Sequence, residues 1–233
     1  IGKTNLDQFA MGLVGMRTPY PAPRNAIDPE VVPGGSSSGS AVAVAQGLVC
    51  FSLGTDTAVS GRVPAALNGI VGLKPSCGAL SNRGVVPACR TLDCVSIFAL
   101  TADDAFQVLR STSTYDAGDA YSRAFPVFQK SRVPSRLRVG VPDAGTLRFC
   151  GDEVQRASFQ SSVNMLRRQG AEIVEVDFEP FYAVAELLYG GPWVAERHTV
   201  IEALLEEKPE AVHPVTRQVT EVALRFSATD TFR

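Results

Sequence analysis

Pro33-Gly34-Gly35-Ser36-Ser37-Ser38-Gly39-Ser40, followed by Gly54-Thr55-Asp56-Thr57-Ala58-Val59-Ser60-Gly61-Arg62-Val63-Pro64-Ala65, sets two serine-bearing loops on either side of a short helix and a strand. The helix is predicted over Ala41-Val42-Ala43-Val44-Ala45-Gln46-Gly47, with Ser38 or Ser40 as its cap and Gly47 as its stop. Leu48-Val49-Cys50-Phe51-Ser52-Leu53-Gly54 is an apolar run closed by glycine, which predicts a buried strand. Helix and strand together let the two loops face one another. The first loop ends a long irregular stretch, 17–40, rich in Pro, Asn, Gly and Ser. Ordered loops of that length in a compact domain usually carry function.

Downstream, 63–100 alternates short apolar runs with Gly and Pro, which suits short strands and turns. Thr101-Ala102-Asp103-Asp104 opens a capped helix. Residues 113–134 are polar, contain Pro126 and Pro134, and read as a surface excursion. A βαβ unit follows: a strand at 137–142, a helix at 153–168 stopped by Gly170, and a strand at 171–176. The stretch 181–207 reads as one helix broken at Gly190-Gly191-Pro192. The fold class is α/β, in a single domain over 1–233.

Composition narrows the function. With 233 residues, 45% of them apolar, the chain can form a sizeable core. A formal charge of −2 gives no electrostatic footprint for nucleic acid or an anionic membrane. No run of 18 apolar residues occurs, so no helix is expected to span a bilayer. Ile1-Gly2-Lys3-Thr4-Asn5 has no signal-peptide character and is read as a truncation, with the domain cut at both ends. Five cysteines with no CxxC, beside only two histidines, argue against a disulfide framework and a zinc site. They are expected to be buried apolar side chains in a reducing cytosol.

A serine hydroxyl needs a base to attack an acyl carbon, and donors for the oxyanion that forms. His198 and His213 lie in no nucleophile-like setting and no GxSxG elbow is present, so a Ser-His-Asp triad is a poor fit. A lysine can serve as the base instead. The two serine loops, in this order and spacing, resemble the amidase-signature family, which works through a Ser–cis-Ser–Lys triad. Gly2-Lys3-Thr4-Asn5-Leu6-Asp7-Gln8-Phe9-Ala10-Met11-Gly12, Gly72-Leu73-Lys74-Pro75 and Leu92-Asp93 fit the same family. The resemblance implies a mixed central sheet flanked by helices. It implies Ser60 as nucleophile and Ser36, 24 residues earlier, as a bridging serine that precedes a cis peptide. It also implies an oxyanion hole from the backbone N–H groups of Thr57, Ala58, Val59 and Ser60.

Two departures from the family pattern matter. The catalytic lysine belongs upstream of residue 1, and Lys3 follows that position, so this chain alone is expected to be inactive. Val59 stands where the family has Gly, a residue suited to φ > 0 or to a close substrate approach. A β-branched side chain there would strain the backbone and tilt the oxyanion donors. Thr57 is read as orienting the serines, Arg62 as a loop-holding ion pair, and Asp93 and Cys94 as structural.

Tyr189-Gly190-Gly191-Pro192-Trp193-Val194-Ala195-Glu196-Arg197, Pro87–Ser96 and Ala228–Arg233 resemble the allophanate hydrolase branch. That resemblance implies a small substrate, allophanate (urea-1-carboxylate), whose carboxylate is clamped by Tyr189 and Arg197 on one face of the broken helix. Arginine suits the task because its planar fork matches a carboxylate. It further implies a cytoplasmic enzyme of urea degradation that releases ammonia, needs no metal or organic cofactor, binds no nucleic acid or membrane, and admits a homodimer. Two rivals remain: another signature amidase (an aliphatic amidase or a relative of the amidase component of glutamyl-tRNA amidotransferase), and a non-catalytic remnant. Without the resemblance, Arg197 reads as a surface ion pair with Glu196 or Glu202, and Tyr189 as core packing.

Overall fold

The computed structural model describes residues 1–126, 134 and 136–233. Residues 127–133 of the expected 113–134 excursion lie outside them. Over the stretch expected to form one domain, the chain makes two compact units, Ile1–Phe128 with Tyr189–Arg233, and Gln129–Leu188. The fold class is α/β, as expected. Among the described residues the strands form two open sheets, one antiparallel in the first unit and one parallel in the second.

The first unit opens with α1 (Ser38–Ala45), β1 (Phe51–Thr55), α2 (Arg62–Leu67), β2 (Val71–Leu73), β3 (Val95–Ala99) and α3 (Ala102–Thr112). The strands run antiparallel in the order β1-β3-β2. All five residues of β3 are buried, and its two-residue alternation serves two faces. Val95, Ile97 and Ala99 join Leu80, Ala105 and Leu109 in one cluster, with Val71 and Leu73 of β2 against it. Phe98 turns the other way and meets Ala41 and Val44 of α1 and Ala65 of α2. Each large side chain buried in this way stabilises by about 1.5–3 kcal/mol.

Small residues on that second face let α1 and α2 approach. A Cβ on Gly54 would lie 2.5 Å from Ser37 Oγ and 2.8 Å from Phe98 Cε2. This explains a correction to the sequence reading, which made 48–54 a buried strand. Phe51 and Leu53 are each nearly half exposed, because Ser52 and Gly54 take the inward positions beneath α1. The helix 41–47 starts earlier than expected, at Ser38, and ends before Gly47, which adopts φ 70°. Ser37 occupies its N-cap, and no side chain bonds there. Thr101 caps α3 as expected by accepting from the Asp104 N–H.

The second unit contains the expected βαβ motif: β4 (Arg138–Pro142), α4 (Glu153–Arg168) and the parallel β5 (Glu172–Val176). Asp152 caps α4 by accepting from the Gln155 N–H. The unit boundary falls within α5 (Glu179–Gly190). The first unit resumes with α6 (Trp193–Glu207), α7 (Pro214–Glu221) and α8 (Ala228–Phe232). Ile201 of α6 packs with Met11 and Val212, so the N-terminal block and this helix share a small core. Gln8 ties the same pieces through its side chain, donating to Ala211 O and accepting from the His213 N–H.

The cysteines depart from expectation. Cys89 and Cys94 are buried, but Cys50, Cys77 and Cys150 are exposed. Local sequence could not distinguish them, since the buried Cys89 and Cys94 have charged neighbours in Arg90 and Asp93 while the exposed Cys50 lies in an apolar run. Among the described residues, no helix is long and apolar enough to cross a membrane.

Candidate active site

The first serine loop is anchored on all sides. Ser37 Oγ donates to Thr55 O and accepts from the Thr55 N–H, which ties the loop to the start of the second serine loop. Ser40 Oγ donates to Leu53 O, and Thr4 lies 2.7 Å from it, hydroxyl to hydroxyl. Ser38 Oγ reaches Asn5 O at 3.5 Å. Ser36 differs from these three. It is 1% exposed, and its Oγ has no hydrogen-bond partner among the described residues. A buried hydroxyl left in that condition costs on the order of 1–3 kcal/mol, which sets Ser36 apart from its three neighbours. The cis peptide lies between Gly35 and Ser36, so Ser36 follows it, whereas the sequence reading had the serine precede it.

The N-terminal block shapes this loop. Asp7, fully buried, donates its N–H to Ser36 O. Its carboxylate accepts from the N–H groups of Gly15 and Arg17. A Cβ on Gly35 would overlap Asp7 Oδ2 and Gly15 N, so only glycine fits before Ser36. Asn68, the C-cap of α2, donates its side-chain amide to Pro33 O at 2.7 Å and Pro64 O at 2.8 Å. Neither role was visible in the sequence. Each joins residues far apart in the chain through a backbone carbonyl or amide, which leaves no local pattern.

Ser60, 3% exposed, ends the second loop just before α2. Asp56 organises the loop from within. Its buried carboxylate accepts the Arg62 guanidinium through two bonds, Nε to Oδ2 at 2.9 Å and Nη2 to Oδ1 at 3.1 Å. That bond holds the guanidinium above its ordinary value. Arg62 thus does what the sequence suggested. Asp56 Oδ1 also accepts the Val59 N–H at 2.7 Å. Of the four backbone donors expected for the oxyanion, the Val59 N–H is therefore already committed. Those of Thr57, Ala58 and Ser60 have no acceptor among the described residues. Val59 adopts φ 71°, the left-handed conformation feared for a β-branched residue at this site. The Thr57 hydroxyl does not reach the serines. It donates to Asp93 Oδ1 at 2.5 Å. Asp93 also accepts from the N–H groups of Ala88 and Cys89.

Arg197 is fully buried, and none of its three guanidinium nitrogens has a hydrogen-bond partner among the described residues. The expected surface pairs are absent: Glu196 bonds Thr91 and Cys89, and Glu202 lies 3.9 Å from His198. The Arg197 guanidinium carbon stands 5.1 Å from the Tyr189 ring centroid. The two side chains meet, but not along one helix face as expected. Eight residues of continuous helix would separate them by about 12 Å along the axis. The break at Gly191-Pro192 places them on α5 and α6 and folds one side chain over the other.

A buried guanidinium without hydrogen-bond partners is costly, typically by several kcal/mol, and its open donors can accept an anion. Among the described residues the chemistry on hand is a buried hydroxyl and a buried guanidinium without hydrogen-bond partners, a serine at a helix start, and backbone N–H groups without acceptors. A surface cavity of about 610 Å³ lies beside Glu196, lined also by Arg90, Thr199 and Val200, but it includes neither serine nor Arg197.

The amidase family model matches residues 1–229. Urea amidolyase of Saccharomyces cerevisiae is 46% identical over 235 residues, covering all of this chain and 13% of that protein. Selenomethionine-substituted allophanate hydrolase of Kluyveromyces lactis superposes with a TM-score of 0.94 at 45% identity, over all of this chain and 38% of that one. A crystal structure whose description gives it only as an amidase superposes with a TM-score of 0.78 at 34% identity, over all of this chain and 50% of that one. The chain spans half or less of the length of these relatives.

Proposed function

This chain belongs to the amidase family, and on that premise we propose that it carries the serine loops and carboxylate clamp of an allophanate hydrolase. The observation that carries this reading is the buried, unpartnered Arg197 guanidinium against Tyr189. A neutral amide offers that cation no opposing charge, whereas a substrate carboxylate supplies a two-bond partner.

In this scheme the substrate carboxylate rests on Arg197 and Tyr189. Ser60 attacks the terminal amide carbonyl as its proton passes through Ser36 to the lysine that a Ser–cis-Ser–Lys triad requires. The free N–H groups of Thr57, Ala58 and Ser60 supply the oxyanion donors. The proton then reaches the leaving nitrogen, ammonia departs, and water hydrolyses the acyl-enzyme to N-carboxycarbamate. The unpartnered Ser36 hydroxyl supports the relay, since a proton carrier must be able to exchange partners.

The test is ammonia release by the full-length protein from allophanate, glutamine and acetamide, beside Ser60→Ala. Release from allophanate alone, abolished in the variant, is the expected result. Equal turnover of uncharged amides would overturn the substrate assignment, and turnover that survives in Ser60→Ala would overturn the nucleophile.

A further inference from the structure

Glu196 sits next to Arg197 on α6, yet its side chain makes no hydrogen bond to the guanidinium and crosses to the segment 88–93. Consecutive helical residues diverge by about 100° around the axis, so one can point inward while the other reaches a neighbouring loop. Glu196 Oε1 accepts the Thr91 N–H at 2.8 Å; Oε2 accepts the Thr91 hydroxyl at 2.6 Å and the Cys89 thiol at 3.1 Å. Three donors on one carboxylate, from residues 105 or more positions away, fix α6 against this segment.

The same segment contains Asp93, which holds the Ala88 and Cys89 N–H groups and accepts the Thr57 hydroxyl. Thr57 lies three residues before Ser60. A continuous line of charge-assisted hydrogen bonds therefore runs from the nucleophile loop through Asp93 and Glu196 to the helix that presents Arg197. Such bonds are shorter and stronger than neutral ones, so the line acts as a strut.

We propose that Glu196 is a positioning residue: through the segment 88–93 it sets the separation between Ser60 and the Arg197 guanidinium, and so selects substrates by the distance between carboxylate and scissile carbonyl. This rests on the proposed function, because it needs the carboxylate on Arg197 and the attack at Ser60. A fixed span matters because displacement of a reacting group by about 1 Å can cost on the order of 10²-fold in rate. A rigid span also rejects a longer substrate that a loose one would admit.

The experiment uses the full-length protein with three amides that carry a carboxylate: allophanate, its carbon isostere malonamate, and succinamate, one methylene longer. The ratio of kcat/KM for malonamate over succinamate is measured in the wild type, Glu196→Ala, Glu196→Gln and Thr91→Val. Glu196→Ala is expected to narrow that ratio by about tenfold and to raise KM for allophanate more than it lowers kcat. Glu196→Gln, which keeps one acceptor, recovers part of the discrimination. Thr91→Val removes a single hydroxyl donor and shifts the ratio the same way by a smaller amount, so the conclusion survives poor folding of the alanine variant. A wild-type protein that hydrolyses none of the three overturns the functional reading and this proposal with it. A wild-type protein that hydrolyses them, beside variants whose ratio is unchanged or whose activity falls equally on all three, overturns the proposal alone.

Discussion

The Val59 backbone N–H donates to the Asp56 carboxylate at 2.7 Å, the same carboxylate that grips Arg62. One buried acid thus fixes the turn that presents Ser60, and does so by holding a β-branched residue at φ 71°. Left-handed backbone at a residue other than glycine costs about 1–3 kcal/mol.

Val59→Gly is expected to relieve this strain. Glycine's own entropy cost offsets part of the gain, leaving about 1 kcal/mol in favour of the variant. Removing the β-branched side chain also relaxes the peptide that leads into the Ser60 N–H, so ammonia release is expected to rise, by as much as about 10²-fold if a tilted oxyanion donor is realigned. Urea unfolding and single-turnover kinetics check the two effects separately. Unchanged activity in Val59→Gly would mean that the valine is harmless to catalysis.

Arg197→Met is expected to separate stability from function. Replacing a buried cation that has no hydrogen-bond partner among the described residues by an apolar side chain of similar length should leave the free protein as stable or more so, since buried charged groups are often replaced by hydrophobes at no cost. The same variant should lose at least about 30-fold in kcat/KM for carboxylated amides. Thermal unfolding without substrate, followed by kinetics, reads both. A destabilised variant would show that the guanidinium has a structural partner in the free protein.

Thiol alkylation at pH 8 is expected to modify Cys50, Cys77 and Cys150, all exposed, and to spare Cys89 and Cys94. Burial pushes the Cys89 thiol up to about 12, reinforced by its bond to Glu196, and burial pushes Cys94 up to about 11. Peptide mass spectrometry after iodoacetamide gives the pattern. Rapid labelling of Cys89 in the native protein would show that the contact with Glu196 opens readily.

Acid should weaken the same contact. Burial by itself raises the Glu196 carboxyl, but the bonds from Thr91 and Cys89 and the nearness of Arg197 outweigh it and hold the group below the ordinary glutamate value. Folding therefore favours the ionised form. Its contribution is complete above the unfolded-state value of about 4.3 and is lost as pH falls through the lower folded-state value. The stability gap between the wild type and Glu196→Gln should stay constant from pH 7 to about 5 and close below that. A gap that persists undiminished in strong acid would argue against an ionised Glu196 in the native contact.

Much of the fold was legible because it follows from local periodicity. The βαβ unit announced itself by the change from two-residue to helical spacing, and the α3 cap by Thr101 three residues before Asp104. The run 48–54 misled because apolarity says nothing of which face a strand turns inward; that was decided by α1, whose serines need small residues beneath them. At the site, Ser36, Ser60, Tyr189 and Arg197 were named through motif resemblance, and the strained Val59 through the need for glycine there. The roles of Asp7 and Asn68 escaped notice, and Glu196 was read only as a possible ion-pair partner of Arg197, because their partners are distant backbone groups, a threonine hydroxyl and a thiol, which impose no spacing on the sequence.

The overlap that a Cβ at Gly35 would make with Asp7 and Gly15 bears on transplantation. A designer who copied only 33–40 and 54–65 onto a new scaffold would carry over the serines without the wall that shapes them. The smallest transferable piece begins at Thr4, whose hydroxyl meets Ser40, and runs through Asn68, whose amide closes the first loop onto α2. Ser36 is therefore heritable only as part of a block of some 65 residues, and recombination within that block should be far less tolerated than recombination at its edges.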